Sequence, residues 1–186
     1  MIYKSNMVFQ KIVYWNYFVI YGILLFVLNN QSLLAQRKSI TASASISATI
    51  VVPIGITKTV DMNFGSIISS ATPGTVKLEP TGAVSATGGI TIPAEKGSVT
   101  PASFQVTGEG NYTYSITLSS ESYSLTRVTG PETMIVNNFT SFPSGNGKLT
   151  SGSQTILVGA TLSVGASQPP SEYKSESEFQ ITVNYN

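Results

Sequence analysis

The run from Ile40 to Ile54 constrains this chain more than any other stretch. Its even positions, Ile40, Ala42, Ala44, Ile46, Ala48, Ile50, Val52 and Ile54, are all apolar, while Thr41, Ser43, Ser45, Ser47 and Thr49 carry hydroxyls. A period of two puts one set on each face of a β-strand, whereas a helix would scatter the apolar residues around its circumference. The run therefore predicts one long strand, or two in line, with an apolar face and a wet face. Two fates are open to it. It is the first strand of its own domain, or Ile40, Ala42, Ala44, Ile46, Ala48 and Ile50 form an assembly strand donated to another chain, with Ile46 and Ile50 as the anchoring side chains.

The rest of the chain repeats this grammar in shorter pieces. Val60, Met62 and Phe64 alternate up to Gly65, Val76 and Leu78 lie between Gly74 and Pro80, and Ile156, Val158, Ala160, Leu162 and Val164 form a long alternating face. Phe179, Ile181, Val183 and Tyr185 read as the last strand. Two alternating runs flank Gly108-Glu109-Gly110-Asn111, so residues 102–119 read as a hairpin. After residue 36 there is no amphipathic helical pattern, no repeat of fixed period and no linker. About ten short strands punctuated by turn residues predict an all-β, antiparallel sandwich in one domain, residues 36–186, in which 36–47 form an extended N-terminal strand.

Residues 1–35 have the form of a signal peptide: Lys4 and Lys11, an apolar run from Phe18 to Leu28, then a cut expected between Ala35 and Gln36. The competing reading is an uncleaved anchor built on Ile12 to Leu28. Either one exports the rest of the chain to the cell surface, periplasm or medium, and the membrane is touched only through this segment if it is uncleaved. The remaining chain of roughly 150 residues is long enough to bury a core without disulfides.

Composition removes most chemistry. The chain has no cysteine and no histidine, hence no thiolate metal site, no lipid-anchoring cysteine and no imidazole base. A net charge of +1 offers no footprint for nucleic acid. Ser144-Gly145-Asn146-Gly147-Lys148 resembles a phosphate loop but has Phe142 where the first glycine belongs and Leu149 in place of the magnesium-binding hydroxyl. Glu172, Glu176 and Glu178 interleave with Lys174, Ser175 and Ser177 as a solvated strand face. No cofactor, metal or catalytic residue is expected. Tyr112 and Tyr114, in phase with Ile116 and Leu118, read as packing residues, and Tyr173 as the tyrosine that caps a strand crossover. The aromatics best placed to touch a polysaccharide are Phe139 and Phe142, expected in a loop.

Five short motifs in order carry a family resemblance: Ala48-Thr49-Ile50-Val51-Val52-Pro53-Ile54-Gly55-Ile56-Thr57-Lys58; Met62-Asn63-Phe64-Gly65-Ser66-Ile67; Ala102 to Gly108 followed by Tyr112 to Ile116; Val158 to Ala166; and Ile181 to Tyr185. Over residues 45–186 the chain resembles the bacterial domain of unknown function 4402, departing from it at Ser171-Glu172-Tyr173, where that family has Gly-x-Tyr, and at Ser175 to Glu178. The resemblance implies an exported domain, similar in pattern to spore-coat-U and fimbrial pilin domains and so immunoglobulin-like. It implies no catalytic residue. Two functions arise as expectations: a non-enzymatic, pilin- or coat-like surface subunit that assembles with itself or related subunits by strand addition, or a secreted module that binds a polysaccharide or another surface without self-assembly.

Overall fold

A computed structural model describes residues 3–28 and 39–186, with side chains described for 14–26 and 39–186. The chain divides into two compact units, Met1–Ala48 and Thr49–Asn186.

In the first unit, α1 spans Tyr3–Leu28 and has neither acidic residues in its first turn nor basic residues in its last. Its side chains are exposed from Tyr14 to Phe26, among them Trp15, Phe18 and Phe26. Among the described residues no helix is long and apolar enough to cross a membrane. The cut expected between Ala35 and Gln36 lies outside the described residues.

The second unit is an antiparallel sandwich. The larger sheet is built from β1 (Gly55–Val60), β2 (Gly74–Leu78), β3 (Val84–Gly88), β4 (Ala102–Thr107), β6 (Tyr123–Arg127), β7 (Thr133–Phe142), β9 (Ser153–Val164) and β10 (Tyr173–Ser175). The smaller holds β5 (Thr113–Leu118), β8 (Asn146–Lys148) and β11 (Ile181–Tyr185). The main path of the large sheet is β1-β4-β9-β7-β6-β10, and the small sheet runs β11-β5-β8. β9 is the spine. Ser153 to Val158 pair with β4 and Ala160 to Val164 with β2, so two strands lie end to end along one flank.

The alternation read along β9 is real: Ile156, Val158, Ala160, Leu162 and Val164 are all buried. They divide between two core clusters. Ile156 and Val158 join Phe104, Val106, Tyr114, Ile116, Leu149 and Val183, where the small sheet packs on the large one. Ala160, Leu162 and Val164 join Val76, Ile90, Met134 and Val136, where the covering residues include Met62, Phe64 and Ile67 from the segment after β1 and no small-sheet strand.

Two expectations are corrected. Residues 102–119 are not a hairpin: β4 pairs with β1 and β9, while β5 pairs with β11 and β8 in the other sheet. The turn carries the chain across the sandwich, so the apolar faces of β4 and β5 meet through the core rather than lying side by side. Residues 39–54 are not a strand either, since the first ladder begins at Gly55. Ile50-Val51-Val52-Pro53-Ile54 holds no Gly, Asn or Asp with which to reverse tightly onto β1. Instead Val52 is held by its backbone, its N–H donating to Glu109 Oε2 (3.0 Å) and its carbonyl accepting from Tyr185 Oη (2.7 Å).

Candidate functional site: a groove over the second core cluster

The segment after β1 builds one wall. In Met62-Asn63-Phe64-Gly65, the Asn63 side-chain oxygen accepts the Gly65 N–H at 2.8 Å, an Asx turn. Gly65 has φ +74°, and a Cβ there would overlap the Lys96 carbonyl, so only glycine fits. Backbone bonds between Asn63 and Thr100 (2.8 and 2.9 Å), and between Ile68 and Thr91 (2.9 Å each way), hold the segment along one side. The motif that carries the family resemblance is thus a device for shaping backbone.

The opposite wall runs from Ser167 to Phe179. It is tied to the first wall at one end, where Ser167 N–H donates to Ser70 O (2.7 Å) and Ser69 Oγ to Gln168 O (2.9 Å). Tyr173 Oη donates to Pro169 O four residues upstream at 2.8 Å, the packing role expected of it. Further along, Phe179 stacks on Phe139 (4.8 Å, 24°) and meets Phe104 edge-on (5.8 Å, 83°).

Between the walls lies a groove of about 1460 Å³, floored by Leu125, Met134, Val136, Leu162 and Val164 on the inner face of β6, β7 and β9. Protein interiors hold few voids larger than a water molecule, and small-molecule pockets run to about 1000 Å³. This volume sits over one of the protein's two cores and suits a polymer segment better than a metabolite. At its mouth Lys58 Nζ bridges Asp61 and Glu178, each at 2.8 Å. The Asp61 bond, then the Glu178 bond, raise the Lys58 pKa. All three side chains are largely solvated, so the pairs orient the rim more than they stabilise it.

A smaller cleft of about 250 Å³ along Gln180, Ile181 and Thr182 shares Lys58, Phe104 and Phe179 with the groove. It follows the open flank of β11, whose other flank pairs with β5. Gln180 O accepts from Ser119 N–H, and Asn186 N–H donates to Thr113 O. By the alternation of an antiparallel ladder, Thr182 and Asn184 also face β5, and the N–H and C=O groups of Ile181, Val183 and Tyr185 point to the open side. Among the described residues those groups have no backbone partner.

The structure separates the residues singled out from the sequence. Phe139 and Phe142 are not loop residues; both belong to β7. Asn138 has φ +51°, and the register of β7 against β9 shifts between Asn137 and Thr140. The bulge re-aims the strand, so Phe139 packs against both core clusters while Phe142 is 66% exposed. They share no surface. Tyr114 is fully buried, its hydroxyl donating to Gln154 Oε1 (2.8 Å) and its pKa raised by burial. The assembly-strand residues Ile40, Ile46 and Ile50 are exposed, the last two almost completely, and Ala42, Ala44 and Ala48 are exposed with them. Among the described residues no cluster of acidic side chains could hold a metal ion. The groove is not visible in the sequence because alternation at Val60 to Phe64 and at Glu172 to Glu178 marks local faces and does not bring the 61–71 and 167–179 segments opposite one another.

A family model described as Domain of unknown function (DUF4402) matches residues 54–185, and the chain belongs to that family. The match begins at Ile54, so Ile40 to Ile50 lie ahead of it. No curated protein and no solved structure matches the chain.

Proposed function

We propose that this protein is a non-enzymatic, exported structural subunit of the cell surface, pilin- or coat-like, which assembles by donating residues 40–50 as a β-strand to another copy or a related subunit. One observation carries the reading. The most strictly alternating segment of the chain belongs to no sheet, and its Ile46 and Ile50 are 99% and 98% exposed. Alternating apolar side chains with unpaired backbone are what strand addition consumes, because a second sheet edge satisfies the main chain and buries one face together. The exposed apolar side chains of α1, with Lys4 and Lys11 in the same stretch, support export. The alternative, a polysaccharide-binding module built on Phe139 and Phe142, has weaker support because those residues lie on opposite faces of β7.

The test is the solution mass of the full-length chain and of an Ile46→Asp, Ile50→Asp variant, by light scattering and on unboiled SDS gels. The expected result is a ladder of oligomers that collapses to monomer in the variant. Equal masses for both chains would overturn the proposal. N-terminal sequencing of the protein recovered from an exporting bacterium should find Gln36 first.

A further inference from the structure

Resting on that reading, we infer where the donated strand goes: residues 40–50 of one copy lie in the groove between the 61–71 and 167–179 walls of a second copy and continue along the open edge of β11. Three features converge on this occupant. The floor is apolar, with Met134, Val136 and Leu162 covered in part by Met62, Phe64 and Phe139, and about 1460 Å³ remains between the two walls beside these side chains. That space can take an apolar strand face, whose side chains would add contacts to the walls and floor. The open edge of β11 offers outward backbone groups at Ile181, Val183 and Tyr185, which a backbone can satisfy and a small apolar ligand cannot. Finally, the donor's two faces match the two sides of the site. Ile46 and Ile50 share a face and stand about 13 Å apart in an extended strand, so both reach the groove, while Ser43, Ser45 and Ser47 turn to solvent.

The donor comes from a second copy and not from the same chain for a reason visible in the sequence. The approach to β1 is fixed to its own domain at both backbone groups of Val52, and Ile50 to Ile54 holds no Gly, Asn or Asp for a two-residue hairpin turn that would fold the donor back on the same chain.

The absence of native cysteine allows a direct test. Full-length Ile46→Cys chain is mixed with full-length Ile68→Cys or Ser177→Cys chain, one from each wall, and oxidised. A Ser85→Cys chain serves as comparison, because β3 is an outer edge of the large sheet that does not line the groove. A Ser47→Cys donor repeats the experiment with the side chain on the opposite face. The expected result is disulfide-linked dimer at both walls, at least tenfold above the Ser85→Cys mixture. Crosslinking that favours Ser85→Cys, in chains whose ladder still depends on Ile46 and Ile50, would overturn the groove while leaving strand donation intact. Loss of all association, in the parent chain as well, would overturn both.

Discussion

Tyr185 Oη donates to the carbonyl of Val52 at 2.7 Å and accepts the N–H of Glu109 at 2.6 Å, so one phenol ties the end of the last strand to the approach to the first and to the turn between β4 and β5. Gly108 makes room for it: a Cβ there would overlap the Tyr185 hydroxyl. Replacing Tyr185 with Phe removes both bonds and leaves the ring. A loss of about 1–2 kcal/mol is expected, read by urea denaturation, with faster proteolysis around residues 49–54 because Val52 is released. Unchanged cleavage there would show that Glu109 alone holds the segment.

Gly159 marks the point on β9 where its partner changes from β4 to β2. A Cβ at this position would run into the Leu78 carbonyl and the Glu79–Pro80 backbone, neither of which is a flexible side-chain end. Gly159→Ala should cost about 3 kcal/mol through overpacking. Gly145→Ala meets no neighbouring atom but strains a backbone at φ +70°, and should cost about 1 kcal/mol. Thermal melts of the two variants give the comparison.

The two phenylalanine positions at the groove and on the surface should separate cleanly. Phe179→Ala loses the stack on Phe139 and the edge contact with Phe104, with an expected cost of about 2–3 kcal/mol at this half-buried site. Phe142→Ala, at an exposed side chain, should change stability by less than about 0.5 kcal/mol. A binding function for Phe142 would show instead as lost retention on a polysaccharide column with an unchanged melt.

Glu132 supplies a pH-dependent contribution. Its carboxyl is held below the ordinary glutamate range first by its own backbone N–H and then by Arg127, 3.2 Å away. A group depressed in this way stabilises the fold above its unfolded pKa and ceases to do so as pH falls through the folded value. Wild-type protein should therefore exceed Glu132→Gln in stability at pH 6, and the difference should shrink as pH falls below the unfolded glutamate value of about 4.3. Guanidine melts at pH 6 and pH 3 measure it.

Much of the fold could be read directly from residue order. Alternation at Ile156 to Val164 named the buried face of the spine, and Gly65 in Asn-Phe-Gly marked a turn that the Lys96 carbonyl confirms as glycine-only. The candidate site was legible in one half only. The donor segment is a period-two pattern and visible as such; the groove arises from where two distant segments, 61–71 and 167–179, come to lie over β6, β7 and β9, which no local pattern encodes.

Period two marked where a strand can form and which of its sides is apolar, because side chains must alternate across a pleated backbone. It could not determine partners. β4 and β5 present the same alternation whether they lie edge to edge or face to face, and only packing across Tyr114, Phe104 and Val106 placed them in different sheets. Left-handed Asn138 within β7 sent Phe139 inward and Phe142 outward, a local choice made by the β7–β9 register. At Ile40 to Ile54 the pattern of a strand persists without a ladder, because alternation fixes the two faces of a strand and supplies no partner for its backbone.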